Sequence, residues 1–316
     1  MTTYLTDAVL LNNHRGWIME STAIKSAEAI SHRPRYVYLP SSRRELLNLK
    51  VLRGLIRRNF SNSLILGFET YLQMLRFGKV DEQTCNLYFT HQNYPIDKEL
   101  LNQFSQILVM NTPLKTRMVN FGVSESKVKI VYGAVNKEVF KPFRDEVDNY
   151  IDLPETFVLL SSDCKPRKNP KKILNLIRAL PDINFVIHGK GWNVAFEEEK
   201  LELKNLIYLD FDYKIQPLLM RKAATFMSLS TLEGGPYPLL EALSSGTPVV
   251  ASRTGFAEDF LDRANGFIVE HETSLEEIAL TLRKSIALKA RLREQNLLGR
   301  DLSWELLGKH LYSIYS

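Results

Sequence analysis

Glu233 and Glu241 lie in Thr-Leu-Glu-Gly-Gly-Pro-Tyr-Pro-Leu-Leu-Glu, with seven residues between the two carboxylates. Ionised carboxylates accept several hydrogen bonds each, so an acid pair of this kind suits a ligand rich in hydroxyl groups, such as a sugar. Gly234, Gly235 and Pro236 form a loop that runs into an amphipathic pattern, and Pro238 suits the first turn of a helix. The amides of Leu239 and Leu240 at that helix start are expected to lack intrahelical partners and to point at an anion. Glu233 then belongs to the loop and Glu241 lies about one turn into the helix. Both are expected to face a common cleft from different depths. Taken singly, each is an ordinary loop or helix acid. The Gly/Pro loop before the helix and the Gly246-Thr247-Pro248-Val249-Val250 strand after it tip the pair toward binding.

The elements that must hold this pair follow a regular rhythm. Short apolar runs at 8–11, 36–39, 63–66, 86–89, 107–110 and 129–132 alternate with helical patterns at 19–30, 44–59, 98–104 and 114–120. The second half repeats the rhythm, with runs at 157–161, 184–187, 206–209, 225–229, 248–251 and 267–269 and helical patterns at 170–180, 238–245 and 275–294. Strand and helix in alternation imply right-handed crossovers and parallel sheets covered on both faces. The series is too long for one sheet, which predicts an α/β protein of two Rossmann-like, doubly wound domains facing each other across a ligand cleft. The expected division is 1–145 and 146–302, within a charged stretch at 141–153, with a last helix at 303–316 packing back on the first domain.

Composition narrows the class. The 316 residues suffice for two ordinary cores, and the two cysteines exclude a disulfide framework or a four-cysteine zinc site. That cysteine usage points to the cytoplasm. No signal-peptide pattern is read at the start, and no apolar run approaches the ~18 residues of a membrane span. A formal charge of +5 favours an anionic partner only weakly, and no nucleic-acid-binding motif accompanies it. No G-x-G-x-x-G with a downstream acid follows a strand, which argues against a dinucleotide oxidoreductase.

The stretch around Glu233 and Glu241 resembles the E-x7-E signature of retaining family-4 (group 1) glycosyltransferases with the GT-B fold. Asn265-Gly266-Phe267-Ile268-Val269 is similar to that family's Asn-Gly-Phe-Leu-Val element, and Val131-Tyr132-Gly133-Ala134-Val135-Asn136 to its Val-Pro-Asn-Gly-Val-Asp element. His188-Gly189-Lys190-Gly191 stands at its Gly-x-Gly loop, and Ser303-Trp304 at the start of its last helix. The resemblance covers about 131–315. It implies sugar transfer from a nucleoside-diphosphate-sugar to a hydroxyl acceptor with departure and attack on one face. Glu233 would contact the donor sugar and Glu241 the ribose, with neither metal nor tightly held cofactor. The family usually reads Glu-Gly-Phe-Gly-Leu-Pro, and Pro236 here removes one backbone donor.

Lys165, Arg167 and Lys168 follow the 157–161 strand and are expected to converge where a diphosphate would sit, stabilising charge on the leaving nucleotide. Lys168 matches the family's lysine, whereas its arginine position is Ser162. In the first domain, Gly16 resembles one half of the family's glycine pair, His91 matches a histidine facing the donor sugar, and Glu69 is a weaker cleft candidate. The base is expected to be held by loops at 188–192 and 211–213. From Arg43 to Phe60 runs a basic amphipathic stretch able to lie on an anionic membrane; a core helix with a solvated face is the plainer reading. A catalytically silent nucleotide-sugar-binding module of the same fold is the alternative to an enzyme.

Overall fold

The computed structural model describes residues 3–12, 18–39, 62–75, 80–90, 97–142, 151–198, 203–292 and 295–315. They form two compact units, Met1–Ala134 with Leu302–Ser316, and Val135–Asp301.

The first unit is built on a six-stranded parallel sheet. After β1 (Thr3–Leu5) come β2 (Ala8–Asn12), α1 (Ile18–Ala29), β3 (Arg35–Leu39), β4 (Ser63–Leu66) and α2 (Phe68–Met74). They are followed by β5 (Asn86–Phe89), α3 (Lys98–Leu101), β6 (Gln106–Val109), α4 (Thr112–Asn120) and β7 (Val128–Ile130). The sheet order is β3-β2-β4-β5-β6-β7. Its central strands are apolar on both faces because helices cover both, and Leu10, Ile65, Leu87, Phe89 and Ile107 all lie in the core.

The second unit repeats the plan. Its strands are β8 (Phe157–Ser161), β9 (Asn184–His188), β10 (Leu206–Leu209), β11 (Thr225–Ser228), β12 (Val249–Ser252) and β13 (Gly266–Val269). Between them run α5 (Pro170–Ala179), α6 (Trp192–Glu198), α7 (Gln216–Lys222), α8 (Tyr237–Ser244) and α9 (Ala257–Phe260), with α10 (Leu275–Lys289) after β13. All pairings are parallel in the order β10-β9-β8-β11-β12-β13. Counted from β8, this is the 3-2-1-4-5-6 order, whose direction reverses between β8 and β11; ligands of open α/β sheets bind outside the carboxyl ends of strands at such a point.

Every strand run read from the sequence lies on an observed strand, within one or two residues at each end. The expected helix at 44–59 lies outside the described residues. The division between units falls at Ala134/Val135, ahead of the charged stretch expected to contain it. Local packing explains the shift. Phe140 is buried and its carbonyl accepts from Ser244 Oγ at 2.6 Å, while Lys137 pairs with Asp301 at 3.5 Å. The segment after Ala134 is therefore held by the second unit.

The end of the chain returns to the first unit as α11 (Trp304–Tyr312) and β14 (Ser313–Tyr315), the latter antiparallel to β1. Gly308 lets α11 approach α1 closely: a Cβ there would lie 2.1 Å from the Ser26 carbonyl oxygen. Tyr312 Oη donates to Ala23 O at 2.6 Å beneath that crossing.

Candidate active site

Loops from neighbouring parallel strands emerge side by side, and this adjacency builds the site. Strands β8, β11 and β12 are consecutive in the second sheet, so the segments after Ser161, Ser228 and Ser252 share one edge. The segment after β8 forms a 3-10 turn, Pro166–Lys168, ending at Asn169 in the left-handed region (φ 58°), a conformation asparagine tolerates. Pro170 then opens α5. This turn is bound to the next loop by Thr231 N–H, which donates to Arg167 O at 2.8 Å.

At that junction Arg167 Nη1 lies 2.7 Å from Glu233 Oε2, and Lys168 Nζ bonds Glu233 Oε1. The Glu233 and Lys168 side chains are only 7% and 15% exposed, against 42% for Arg167. Burial by itself pushes the Glu233 carboxyl up, but the two cations outweigh it and hold it below the usual carboxylate range. Burial also lowers the Lys168 ammonium, and the Glu233 charge opposes that shift. Glu233 N–H donates to Thr254 Oγ1 at 2.9 Å, so the loop after β12 fixes the backbone that carries the acid.

Glu241, buried on α8, has a different set of partners. Its Oε1 accepts from Tyr213 Oη at 3.3 Å and its Oε2 from Gln216 Nε2 at 3.1 Å. Gln216 Oε1 accepts from Ser161 Oγ at 2.9 Å and His188 Nδ1 at 2.6 Å. Ser161 and His188 are register partners on β8 and β9, which brings them to one amide. Asp212 N–H donates to His188 Nε2 at 2.9 Å, and Phe211 stacks on the imidazole with ring centroids 5.0 Å apart. Burial lowers the His188 pKa below its ordinary 6.5 and keeps the ring neutral. Phe211 and Tyr213 leave 43% and 47% of their surface to solvent. Burial, then the Glu241 charge, pushes the Tyr213 phenol up.

A cavity lined by Ser161, Ser162, Lys168, Ser228, Ser230 and Pro236 opens at the β8/β11 switch point. Lys168 connects it to the Glu233 cluster and Ser161 to the Glu241 network. Its hydroxyls and cation suit an oxygen-rich anion.

Of the predicted residues, Glu233, Arg167 and Lys168 come together. Lys165 does not join them; exposed, it lies 3.7 Å from Asp163. The Leu239 amide is not left for an anion either, because it donates to Pro236 O at 3.0 Å. Pro238 has no amide hydrogen, and the helix opens with this tight turn. The Leu239 and Leu240 side chains are fully buried. Gly234 and Gly235 are half-buried. Trp192, in a loop expected near the base, is a core residue whose Nε1 donates to Ser162 O at 2.7 Å. Glu69 is exposed on the first turn of α2. Gly16, His91 and the stretch from Arg43 to Phe60 lie outside the described residues.

Sequence reading missed Thr254, Gly255 and Gln216. Gly255 has φ 61°, and a Cβ there would meet Pro236 Cδ at 2.7 Å and Glu233 Cβ at 2.8 Å. Only the pairing of β11 with β12 reveals that closeness. Gln216 opens α7 just ahead of Pro217, without a motif of its own.

Two doubly wound parallel-sheet units, with a cavity lined by serines and Lys168 at the switch point of the second, define a GT-B fold. Residues 144–296 match the family model described as glycosyl transferases group 1. The match falls within the second unit, which carries the switch-point cavity. Similar solved structures include HepE from Anabaena in complex with UDP-glucose, at 16% identity over 96% of this chain and 98% of that one, TM-score 0.66. A glycosyltransferase from Rickettsia africae is similar at 14% identity over 97% of each chain, TM-score 0.71. Sucrose-phosphate synthase from Thermosynechococcus elongatus is similar at 13% identity over 96% and 97%, TM-score 0.69. The chain has no match among curated proteins. Among the described residues no helix is long and apolar enough to cross a membrane.

Proposed function

We propose that this chain is a retaining glycosyltransferase that moves a sugar from a nucleoside-diphosphate-sugar to a hydroxyl acceptor. The observation that carries the proposal is the near-buried Glu233 carboxylate held by Lys168 and Arg167 beside the switch-point cavity. Rupture of a sugar–phosphate bond leaves negative charge on the departing diphosphate. Fixed cations in a water-poor site stabilise that charge at the moment it develops. In this reading Lys168 turns its remaining N–H donors to the phosphate while Glu233 accepts from hydroxyls of the sugar. Glu241 accepts from the ribose, and the exposed rings of Phe211 and Tyr213 offer a face to the base. In this reading Lys168 and Arg167 neutralise the diphosphate in place of a divalent ion. The family match and the UDP-glucose bound by the similar HepE support a nucleotide-sugar donor.

Thermal-shift screening with nucleotide sugars, followed by donor-turnover assays on wild type and Glu233→Gln, tests the proposal. A raised melting temperature with one donor class, turnover with retained anomeric configuration, and at least ~100-fold loss in the variant are expected. Tight donor binding with equally negligible turnover in both proteins, given a competent acceptor, identifies the silent module that Ser162 at the arginine position favours.

A further inference from the structure

Gln216 is a buried side-chain amide at the first position of α7. Burying an amide is costly unless its polar atoms are paired, and both ends of this one are. The geometry also determines which end faces which partner. Asp212 N–H can only donate, so His188 Nε2 accepts from it and the imidazole proton sits on Nδ1. His188 Nδ1–H, 2.6 Å away, therefore requires the amide oxygen of Gln216, which also accepts from Ser161 Oγ. The amide nitrogen must then point at Glu241 Oε2, 3.1 Å away. A backbone N–H in the loop after β10 thus sets, through two side chains, the donor that the Glu241 carboxylate meets on α8. Tyr213 Oη anchors the other carboxylate oxygen at 3.3 Å.

We propose that Gln216 is a positioning residue that orients the Glu241 carboxylate to recognise the ribose hydroxyls of a ribonucleotide donor. The proposal rests on the donor-site reading above and adds that ribose recognition depends on a residue outside the acid pair. Held at both oxygens, Glu241 keeps its remaining lone pairs in one direction; released from Gln216, it turns and loses its preference for ribose over deoxyribose.

Calorimetric titration of the full chain tests this. The probes are uridine, adenosine or guanosine diphosphate, whichever wild type binds best, and its 2′-deoxy counterpart. Wild type is expected to favour the ribonucleotide by at least about tenfold, the worth of one hydrogen bond to a charged group. Gln216→Met removes both functions of the amide at similar volume. Gln216→Glu keeps an acceptor for Ser161 and His188 but presents Glu241 with a second carboxylate. In both variants the preference is expected to fall to about twofold or less, with deoxynucleotide affinity within about threefold of wild type. Either variant, cooperatively folded and keeping the wild-type preference, overturns the proposal and leaves the donor site standing. Failure of wild type to bind any of the three nucleotides overturns the donor-site reading and this proposal with it. Binding without ribose preference overturns the placement of Glu241. If neither variant folds, side-chain amide NMR signals of Gln216 in wild type decide: a shift with the ribonucleotide and none with the deoxynucleotide supports the proposal, and equal behaviour overturns it.

Discussion

Gly255→Ala is expected to disable the site by pushing the Glu233 loop aside, and Gly299→Ala serves as the control for the backbone penalty. Both glycines lie in the left-handed region, at φ 61° and 64°, so an alanine at either meets a similar backbone penalty of about 1–2 kcal/mol. Loss of unfolded-chain entropy offsets about 0.4–1 kcal/mol of it. Around Gly299 nothing lies within 4 Å of the new methyl, so the net loss there should be about 1 kcal/mol. At Gly255 the methyl meets Pro236 Cδ at 2.7 Å and Glu233 Cβ at 2.8 Å, against ordinary carbon contacts of about 3.5–4 Å. The loop bearing Glu233 must retreat by roughly 0.5–1 Å, with overpacking adding about 1–3 kcal/mol. A displacement of that size at a reacting centre lowers turnover by up to about 100-fold. Guanidinium unfolding and donor-turnover rates on the two variants separate these contributions. Gly255→Ala should lose about 2–4 kcal/mol and most of its turnover, while Gly299→Ala loses about 1 kcal/mol and keeps its rate. Equal stability losses with wild-type turnover in both would refute the argument that Gly255 sets the position of Glu233.

Two further outcomes follow from the electrostatics. Lys168→Met leaves the 7% exposed Glu233 carboxylate with Arg167 as its remaining cationic partner, and should cost about 1–3 kcal/mol and roughly 100-fold in turnover. Lys165→Met removes only an exposed contact to Asp163, so stability within about 0.5 kcal/mol and near-normal turnover are expected; equal damage from both would put Lys165 back at the phosphate. His188 titrates below its ordinary 6.5 in the folded chain because it is buried, so the unfolded chain binds more protons as pH falls through 6.5. Stability should therefore decline below that pH until the folded-state pKa is passed, by at most about 1.4 kcal/mol per pH unit from this group. Urea midpoints of wild type and His188→Asn across this range check it, and parallel curves would contradict it.

The twelve parallel strands were legible because a strand covered on both faces must be apolar at successive positions, as Phe157–Ser161 and Ser63–Leu66 are. The β1–β14 ribbon was not, because it joins three-residue strands from opposite ends of the chain, and nothing local announces such a pairing. Helix α7 was missed for a related reason. It is seven residues long, and its first residue, Gln216, is polar yet buried.

The sequence by itself determined which groups are available for chemistry: two carboxylates with seven residues and a Gly/Pro loop between them, and Lys165, Arg167 and Lys168 after a buried strand. Those are local facts, carried by residue type and spacing. The tertiary structure decided the partners. Parallel pairing of β8 with β11 puts Lys168 and Arg167 on Glu233, and Lys165 turns away to Asp163. Register between β8 and β9 brings Ser161 and His188 to Gln216, and through it to Glu241. The Leu239 amide, open to an anion on spacing alone, is taken by Pro236 in its own turn. Spacing along a chain tells which groups are available. A buried polar group must be satisfied by whatever neighbouring strands bring beside it, and strand order and register set that only once the sheet has formed.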